Sequence, residues 1–398
     1  MNVREYWKPD DPDFILNPYP NYHKLREEHP VFQSTSGDYI VLGYHAVRKG
    51  LIDKSFEAAT RTAWLKNLIA YAKKKGKDYT SITKTMQSFL VQMNPPEHTE
   101  LRRVLSAEWP KKDELIQMID PICEQTIQNL PQEGDLVIEL SKTLPLKVVN
   151  EILGYHQLDL SMVEDGGILL SALNPYLTVK DLDRINAASQ RLYAHFETFF
   201  ASLSPETPGL AGRLKAISLK GEHPNLDWVS VTLSLFIAAF ETTRSLLSSL
   251  LHFLLTHPNY HTQLRDDRYI ENFIHEILRL EAPIQMTGRV NTSDAELQEV
   301  KLPPRSGITL CIGSANRDPE IFENPDEIDL ERDNHQHLSF GAGIHHCLGS
   351  QIAMLESKSL VKHIIPVLSR LQLKEDISYD PLVTIRNISS LKYYLHDT

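Results

Sequence analysis

The segment Phe340–Gly349 constrains this chain most strongly, because it places one cysteine between a glycine-rich loop and an apolar helical run. A cysteine that binds a metal as thiolate needs hydrogen-bond donors near its sulfur and little side-chain bulk. Gly341 and Gly343 provide flexible backbone amides. A helix predicted over Cys347–Leu368 would direct its positive end toward the sulfur. Cys347 is therefore a candidate axial ligand of iron.

Two other interpretations of this cysteine stay open at the level of the residues. Most isolated cysteines are buried structural thiols. The histidines that cluster around it (His335, His337, His345 and His346) also suggest zinc. The segment lacks, however, a paired Cys-x-x-Cys and the usual histidine spacing of a closed zinc site.

The composition limits the class of protein. The chain has 398 residues, of which 41% are hydrophobic and 23% charged, which is typical of a globular protein able to enclose a cofactor. The net charge of −11 argues against general nucleic-acid binding. Three cysteines cannot form a disulfide framework. The N-terminal residues Met1–Pro12 are polar, and the apolar stretch nearest in length to a membrane span, Val229–Leu255, contains Glu241 and Arg244. We therefore expect a cytoplasmic protein without a signal peptide or membrane anchor.

Helical periodicity dominates the middle of the chain, and strand patterns lie near both ends. The predicted helices are Asp113–Leu130, Leu144–Leu153, Ile185–Phe200, Val229–Thr256, Tyr269–Leu280 and Cys347–Leu368. The predicted strands are Tyr39–Leu42, Ile308–Ile312, Leu382–Ile388 and Leu391–Leu395. We expect irregular structure from Asp165 through the glycine pair to Pro175. The prediction is a mainly α fold with a smaller β-rich part, in a single domain over residues 1–398.

The cysteine segment as a whole resembles the haem-binding loop of the cytochrome P450 superfamily. That loop has the pattern Phe-Gly-x-Gly-x-His-x-Cys-x-Gly, which Phe340, Gly341, Gly343, His345, Cys347 and Gly349 supply. The resemblance implies the P450 fold, haem b (heme, iron protoporphyrin IX) as cofactor, and Cys347 as the iron ligand. It makes the zinc interpretation very weak.

A second motif of the same family lies ahead of the cysteine loop, in the order that the resemblance implies. Glu276-Ile277-Leu278-Arg279 is similar to the family's Glu-x-x-Arg, and residues three apart share a helix face. Alone, such a pair would more often be a surface ion pair that contributes roughly 0–1 kcal/mol. The resemblance implies instead a buried structural network, with Arg332 as its third member.

The segment Ala238–Thr243 resembles the family's oxygen-activating helix, with Ala239 in place of the usual glycine. A carboxylate and a hydroxyl are costly to bury in an apolar helix unless they have partners or a task. The resemblance implies that Glu241 and Thr242 relay protons during oxygen activation. The alternative is that Glu241 faces solvent and Thr242 bonds the carbonyl of the preceding turn.

Other residues match the family's contacts to the two haem propionates. His98 and Arg102 are one helical turn apart, in a segment similar to the family's His-x-x-x-Arg. Arg289 matches the arginine on a strand that reaches a propionate, and His345 matches the contact beside the ligand. Each alone would more often be a solvated surface residue.

The resemblance also implies the reaction and its partners. The substrate-facing set would be Leu235, Ala238, Ala239, Met286 and Thr287, which favours a hydrophobic small molecule. We expect a monomeric monooxygenase of the bacterial class I type in secondary metabolism. A ferredoxin or flavodoxin with a separate reductase would supply electrons, and Lys73–Lys77 is compatible with a carrier-bound substrate. The alternatives are a haem-thiolate enzyme that performs oxidative coupling or desaturation, and a non-catalytic haem sensor.

Overall fold

The computed structural model describes residues 2–58, 69–74, 76–155, 157, 160–173, 177, 179–333, 335–375 and 377–396. In chain order, the α-helices are α1 Val3–Tyr6, α2 Pro12–Leu16, α3 Tyr19–Glu28, α4 Tyr44–Ile52, α5 Thr80–Met86, α6 Glu97–Glu108, α7 Lys112–Gln128, α8 Thr143–Leu153, α9 Leu160–Leu170, α10 Val179–Ser202, α11 Leu210–Leu219, α12 Trp228–Thr256, α13 Asp267–Leu280, α14 Ile312–Ala315 and α15 Ser350–Ile364. The strands are β1 Val31–Gln33, β2 Tyr39–Val41, β3 Phe56–Glu57, β4 Glu133–Asp135, β5 Thr287–Asn291, β6 Ala295–Leu297, β7 Val300–Leu302, β8 Gly307–Leu310, β9 Leu371–Leu373, β10 Ser378–Tyr379, β11 Ile388–Ser390 and β12 Lys392–Leu395. The mainly α fold with a smaller β part is confirmed.

The chain divides into two compact units. The first comprises Met1–Glu57, Ile119–Pro145 and Thr242–Thr398, and the second comprises Ala58–Met118 and Leu146–Glu241. The boundary at residue 241 falls within α12, so this helix supplies residues to both units.

The first unit is built around a five-stranded sheet of order β1-β2-β8-β5-β3. Strands β2 and β8 are parallel, whereas β5 pairs antiparallel with β8 and places Arg289 opposite Ile308. The adjoining apolar core includes Val41, Val47, Leu51, Ile308, Leu310, Phe322 and Leu338, with Ala342 packed against it. Because Leu338 and Ala342 belong to this core, the segment that leads to Cys347 is anchored on the sheet.

The described residues of the second unit are mainly helical. Helix α10 packs along α9, and its Phe196 ring lies 5.5 Å from the ring of Phe236 on α12. Phe236 in turn stacks on Phe240 one turn later, at 6.3 Å. Aromatic side chains four residues apart meet on one helix face, so these rings fix the first half of α12 within the unit.

Several predicted elements are confirmed and three are wrong. Helices α7, α8, α10, α12 and α13 lie where periodicity predicts them. The strand predicted at Leu382–Ile388 is wrong, because this stretch is a turn and one isolated bridge, and strand β11 begins only at Ile388. The last helix begins at Ser350, so Cys347 precedes it instead of starting it. Asp165–Gly167 lies inside α9 and is not irregular, while residues 174–176 fall outside the described residues.

Within the described part of the chain, none of the helices combines the length and the apolar character that a membrane span requires.

Candidate functional site

The loop before Cys347 has a shape that only glycine adopts easily. Gly341 and Gly343 have φ values of +68° and +66°, in the left-handed region. A Cβ at Gly343 would lie 3.3 Å from both the Leu51 carbonyl oxygen and the Ile52 Cα. The Cys347 amide donates to the Phe340 carbonyl oxygen at 2.8 Å, which closes the loop. Both glycines are therefore required by the backbone, and the loop presents Cys347 at a defined position.

Cys347 differs from the other two cysteines in its surroundings. Its side chain is half-buried, whereas Cys123 and Cys311 are fully buried. Burial raises the pKa of the Cys311 thiol, which disfavours its thiolate form. Gly349 caps α15 and lies next to the sulfur, since a Cβ at this position would be 4.0 Å from the Cys347 Sγ. Because glycine has no side chain, it adds no bulk near the sulfur. Of the three thiols, Cys347 is the one placed to bind a ligand.

A buried ion network holds the segment that leads to this loop. Glu276 accepts hydrogen bonds from Arg279 Nε and Nη2 at 2.7 and 2.8 Å, and from Arg332 Nε at 3.0 Å. Glu276 and Arg279 are only 2% and 1% exposed. Although burial alone would raise it, the pKa of Glu276 is held below its ordinary value, chiefly by Arg279. Arg279 also donates to the carbonyls of Pro325 and Glu327, so the network ties α13 to the chain before the cysteine loop.

Three histidines beside this network form a contact that sequence reasoning did not find. The His275 ring stacks on that of His335 at 4.2 Å, and His275 Nδ1 lies 3.0 Å from His337 Nε2. The ring of His337 contacts Phe340, which in turn contacts His346. His275 precedes His335 by 60 residues in the sequence, so no local pattern could bring it to the other two histidines.

This histidine cluster predicts that the protein loses stability in mild acid. Burial lowers the pKa of His275 to about 4 and that of His337 to about 3. Since an unfolded histidine titrates near 6.5, the unfolded state binds more protons than the native state below that pH. Stability therefore falls as pH drops from about 6.5 toward 4, by up to about 1.4 kcal/mol per pH unit for each histidine. Denaturant unfolding at several pH values measures this slope.

The matched variants for this prediction are His337→Asn, which retains a polar group but cannot be protonated, and His396→Asn at an exposed site near the C-terminus. We expect the first to reduce the slope and the second to leave it unchanged. An equal slope in His337→Asn and the parent protein would contradict the assignment.

One face of α12 stays open while the rest of the helix is buried. From Val231 to Leu251, every residue is buried except Leu235, Ala238, Ala239 and Thr242. These four have the spacing i, i+3, i+4 and i+7, which is a single stripe of an α-helix. Three of the four are apolar and the last carries a hydroxyl. The stripe is thus suited to contact an apolar ligand at one end and a polar reacting group at the other.

Glu241 precedes Thr242 in the sequence, but its side chain is buried against α9 and is not part of the open stripe. Its side chain is 2% exposed and approaches Gly167 of α9, where a Cβ would lie 3.2 Å from Glu241 Oε1. The alternative that Glu241 simply faces solvent is therefore wrong.

The other predicted substrate contacts lie on β5 or just before it. Met286 is buried in an apolar cluster with Phe32, Leu42 and Cys311, so the structure places it in the core. Thr287 is half-buried. Thr287, unlike Met286, retains exposed surface for a ligand.

The candidate propionate contacts occur in both units. His98 and Arg102 lie one turn apart on α6 in the second unit, with His98 buried and its pKa lowered by burial and by Arg102. In the first unit, Arg289 is buried on β5 and His345 is half-buried beside Cys347.

Arg289 is a buried cation on β5. Its side chain is 2% exposed, and burial lowers the pKa of its guanidinium to about 10. Its Nη1 donates to the carbonyl of Gly288 at 2.8 Å, and within the described residues no carboxylate forms an ion pair with it. A buried cation is costly without a counter-ion. An anionic group of a bound cofactor would supply the missing charge.

Among the residues that the structure describes, no three histidine, cysteine or acidic side chains converge as they do in a closed zinc site.

Comparison with known proteins agrees with this geometry. Residues 218–378 match the sequence model of the family described as cytochrome P450. The chain is 30% identical over 315 residues to cytochrome P450 105A3 of Streptomyces carbophilus. This match covers 76% of this chain and 75% of the relative. It is 28% identical over 394 residues to the biotin biosynthesis cytochrome P450 of Bacillus subtilis (strain 168), covering 95% and 96%.

A solved structure extends the similarity to the fold. The crystal structure of P450BioI in complex with hexadec-9Z-enoic acid ligated acyl carrier protein superposes with a TM-score of 0.83 at 26% identity. The match covers 96% of this chain and all of the other. The predicted fold is confirmed.

Proposed function

The chain belongs to the cytochrome P450 family and is a haem b monooxygenase, and from this premise we propose that it inserts one atom of dioxygen into a C–H bond of an apolar small molecule. One observation carries the choice of substrate class, the mostly apolar open stripe of α12 that ends at Thr242. We further propose that residues 1–398 act as one haem-thiolate domain.

The residues that would hold the haem can be assigned individually. Cys347 would bind the iron as thiolate, with Phe340, Gly341 and Gly349 shaping the loop around it. Arg289 would pair with a propionate, since its buried guanidinium has no carboxylate partner within the described residues. His98, Arg102 and His345 would be the further propionate contacts. The bound haem supplies oxygen activation, which its thiolate ligand promotes.

The chain's own contribution is to position substrate and to move protons. Leu235, Ala238 and Ala239 would contact the apolar substrate and exclude water, and Thr287 would lie beside it. The Thr242 hydroxyl would donate a hydrogen bond at the reacting oxygen. The Glu241 carboxylate would take up a proton and pass it on toward that hydroxyl. Glu276, Arg279 and Arg332 would hold the cysteine loop in place.

Replacing Thr242 with alanine tests the proton-delivery role. We expect the product formed per electron pair to fall roughly ten-fold, less than the roughly 100-fold or more that a general acid or base contributes, because this hydroxyl would only donate a hydrogen bond. Electron consumption should continue, because the change removes a hydroxyl and not a cofactor contact. The measurement is the ratio of product to electrons supplied. Product mass also separates oxygen insertion from oxidative coupling or desaturation.

Thr232→Ala is the matched control on the same helix. Thr232 is buried and its hydroxyl donates to the Trp228 carbonyl at 2.8 Å, so it has a local structural task only. We expect normal coupling in this variant. Equal coupling in Thr242→Ala and the parent enzyme would remove Thr242 from the relay. A haem protein that binds oxygen but oxidises nothing would instead be a sensor.

The reaction needs a donor of electrons. We propose a ferredoxin or flavodoxin with its own reductase. Two basic residues on α15, Lys358 and Lys362, are candidate contacts for an acidic partner of this kind. They face Asp267 at 2.9 Å and Asp120 at 3.9 Å, so part of their charge is already compensated.

A carrier-bound acyl chain is the second candidate for the substrate. The observation that favours it is the similarity to a structure that was solved with an acyl carrier protein. That match covers 96% of this chain. Lys77, from the Lys73–Lys77 run, pairs with Asp183 at 2.5 Å, and Lys75 lies outside the described residues. Substrate assays should therefore offer fatty acids both free and on a carrier.

A further inference from the structure

Helix α9 carries two consecutive glycines, Gly166 and Gly167, in its interior. Glycine is less favourable than alanine in the middle of a helix, because it loses more conformational freedom. A pair of glycines at this place therefore needs a reason in the tertiary structure. Both face α12, in the same compact unit.

The two glycines leave different amounts of space. A Cβ at Gly166 would meet Ile237 Cγ1 at 3.7 Å and Phe236 Cε1 at 4.0 Å, which is ordinary van der Waals contact. A Cβ at Gly167 would lie 3.2 Å from Glu241 Oε1 and 3.7 Å from its Cδ. Alanine thus fits at Gly166, whereas at Gly167 it crowds the carboxylate.

Helix α9 cannot yield freely to such a methyl group. Next to the glycines, Asp165 accepts hydrogen bonds from Arg191 Nε and Nη2 of α10, at 2.8 and 2.5 Å. Helix α9 also packs along α10 and buries Leu169 and Leu170. The Glu241 side chain is itself buried. Because α9 is held, the carboxylate is the group that would have to move.

We propose that Gly167 is a positioning residue for Glu241, and that its missing side chain leaves the place which the Glu241 carboxylate occupies when it delivers protons. This inference rests on the proposed proton-delivery role of Glu241. The chemistry is unchanged by it. A residue on another helix, Gly167 of α9, thereby determines where the carboxylate lies.

The test compares Gly167→Ala with Gly166→Ala in the haem-loaded enzyme. We expect Gly167→Ala to lower product per electron pair roughly three- to ten-fold, since displacements well below 1 Å are involved. Gly166→Ala should couple normally. Thermal stability should not fall in Gly167→Ala, because alanine favours the helix. Lower coupling without lower stability separates loss of positioning from a packing defect.

A second readout does not depend on turnover. The infrared carboxyl band that disappears in Glu241→Gln identifies the Glu241 side chain. We expect Gly167→Ala to shift this band or its titration midpoint, and Gly166→Ala to leave both unchanged. The double variant Gly167→Ala/Glu241→Asp completes a cycle, because the shorter aspartate leaves room for the methyl group. Gly167→Ala should then cost little in the aspartate background.

The outcomes distinguish the inference from the function beneath it. If Glu241→Gln uncouples the enzyme but Gly167→Ala behaves like Gly166→Ala, the role of Gly167 is overturned and the relay stands. If Glu241→Gln stays fully coupled, the relay role and the inference are both overturned. A Gly167→Ala variant that is destabilised or unfolded, with no relief from Glu241→Asp, would also overturn the inference.

Discussion

Replacing Cys347 with alanine is expected to reduce oxygenation by more than about 100-fold, beyond the losses typical of changes around a metal ligand. Cys347 is the half-buried thiol at the end of the left-handed glycine loop, and its side chain would be the ligand that donates charge to the iron. We expect the carbon-monoxide difference spectrum of the reduced haem protein to lose its thiolate signature. Haem content per polypeptide should fall as well.

Cys311→Ala is the control for this prediction, because Cys311 is a thiol in the same unit but fully buried in the core. It should retain the thiolate spectrum and the parent haem content. A thiolate signature that survives in Cys347→Ala would mean that another group binds the iron.

The second large effect is expected from Glu276→Gln. The substitution removes the charge that compensates Arg279 and Arg332, and both guanidinium groups remain where they are. Breaking a buried pair by changing one partner typically costs about 3–5 kcal/mol, because the remaining charge is left uncompensated. We expect a loss of this size in the free energy of unfolding from denaturant titration. Haem retention should weaken too, because the network ties α13 to the chain ahead of the cysteine loop.

Glu271→Gln provides the comparison on the same helix. Glu271 is exposed, so its replacement should change the free energy of unfolding by less than about 0.5 kcal/mol. If Glu276→Gln and Glu271→Gln unfold at the same denaturant concentration, the buried network does not stabilise the fold.

Some features of the molecule could be predicted from short stretches of its sequence. The Phe340–Gly349 pattern predicted a flexible glycine-rich loop ahead of the cysteine, and in the structure Gly341 and Gly343 of this loop take left-handed conformations. Glu276 and Arg279 are three residues apart on a helix, so their contact follows from helix geometry alone. These features depend on short-range spacing, which the amino-acid order contains directly.

Other features depended on contacts between distant segments. The glycine pair of α9 predicted irregular structure, yet packing against Phe236 and Ile237 of α12 makes helix the better solution. The family resemblance implied that Met286 contacts substrate, but this side chain is enclosed by apolar side chains from other elements. For the glycine pair, the energy of tertiary packing exceeds the local preference.

What the sequence by itself determined is the family and the cofactor, and it predicts Cys347 as the iron ligand, because short motifs with fixed spacing carry this information. Only the tertiary structure decided which atoms those motifs meet. It assembled the histidine cluster around His275, left Arg289 buried without a carboxylate partner among the described residues, and brought Gly167 to Glu241. Each of these contacts joins segments far apart in the chain, and their geometry follows from how helices and strands pack, which no local pattern encodes.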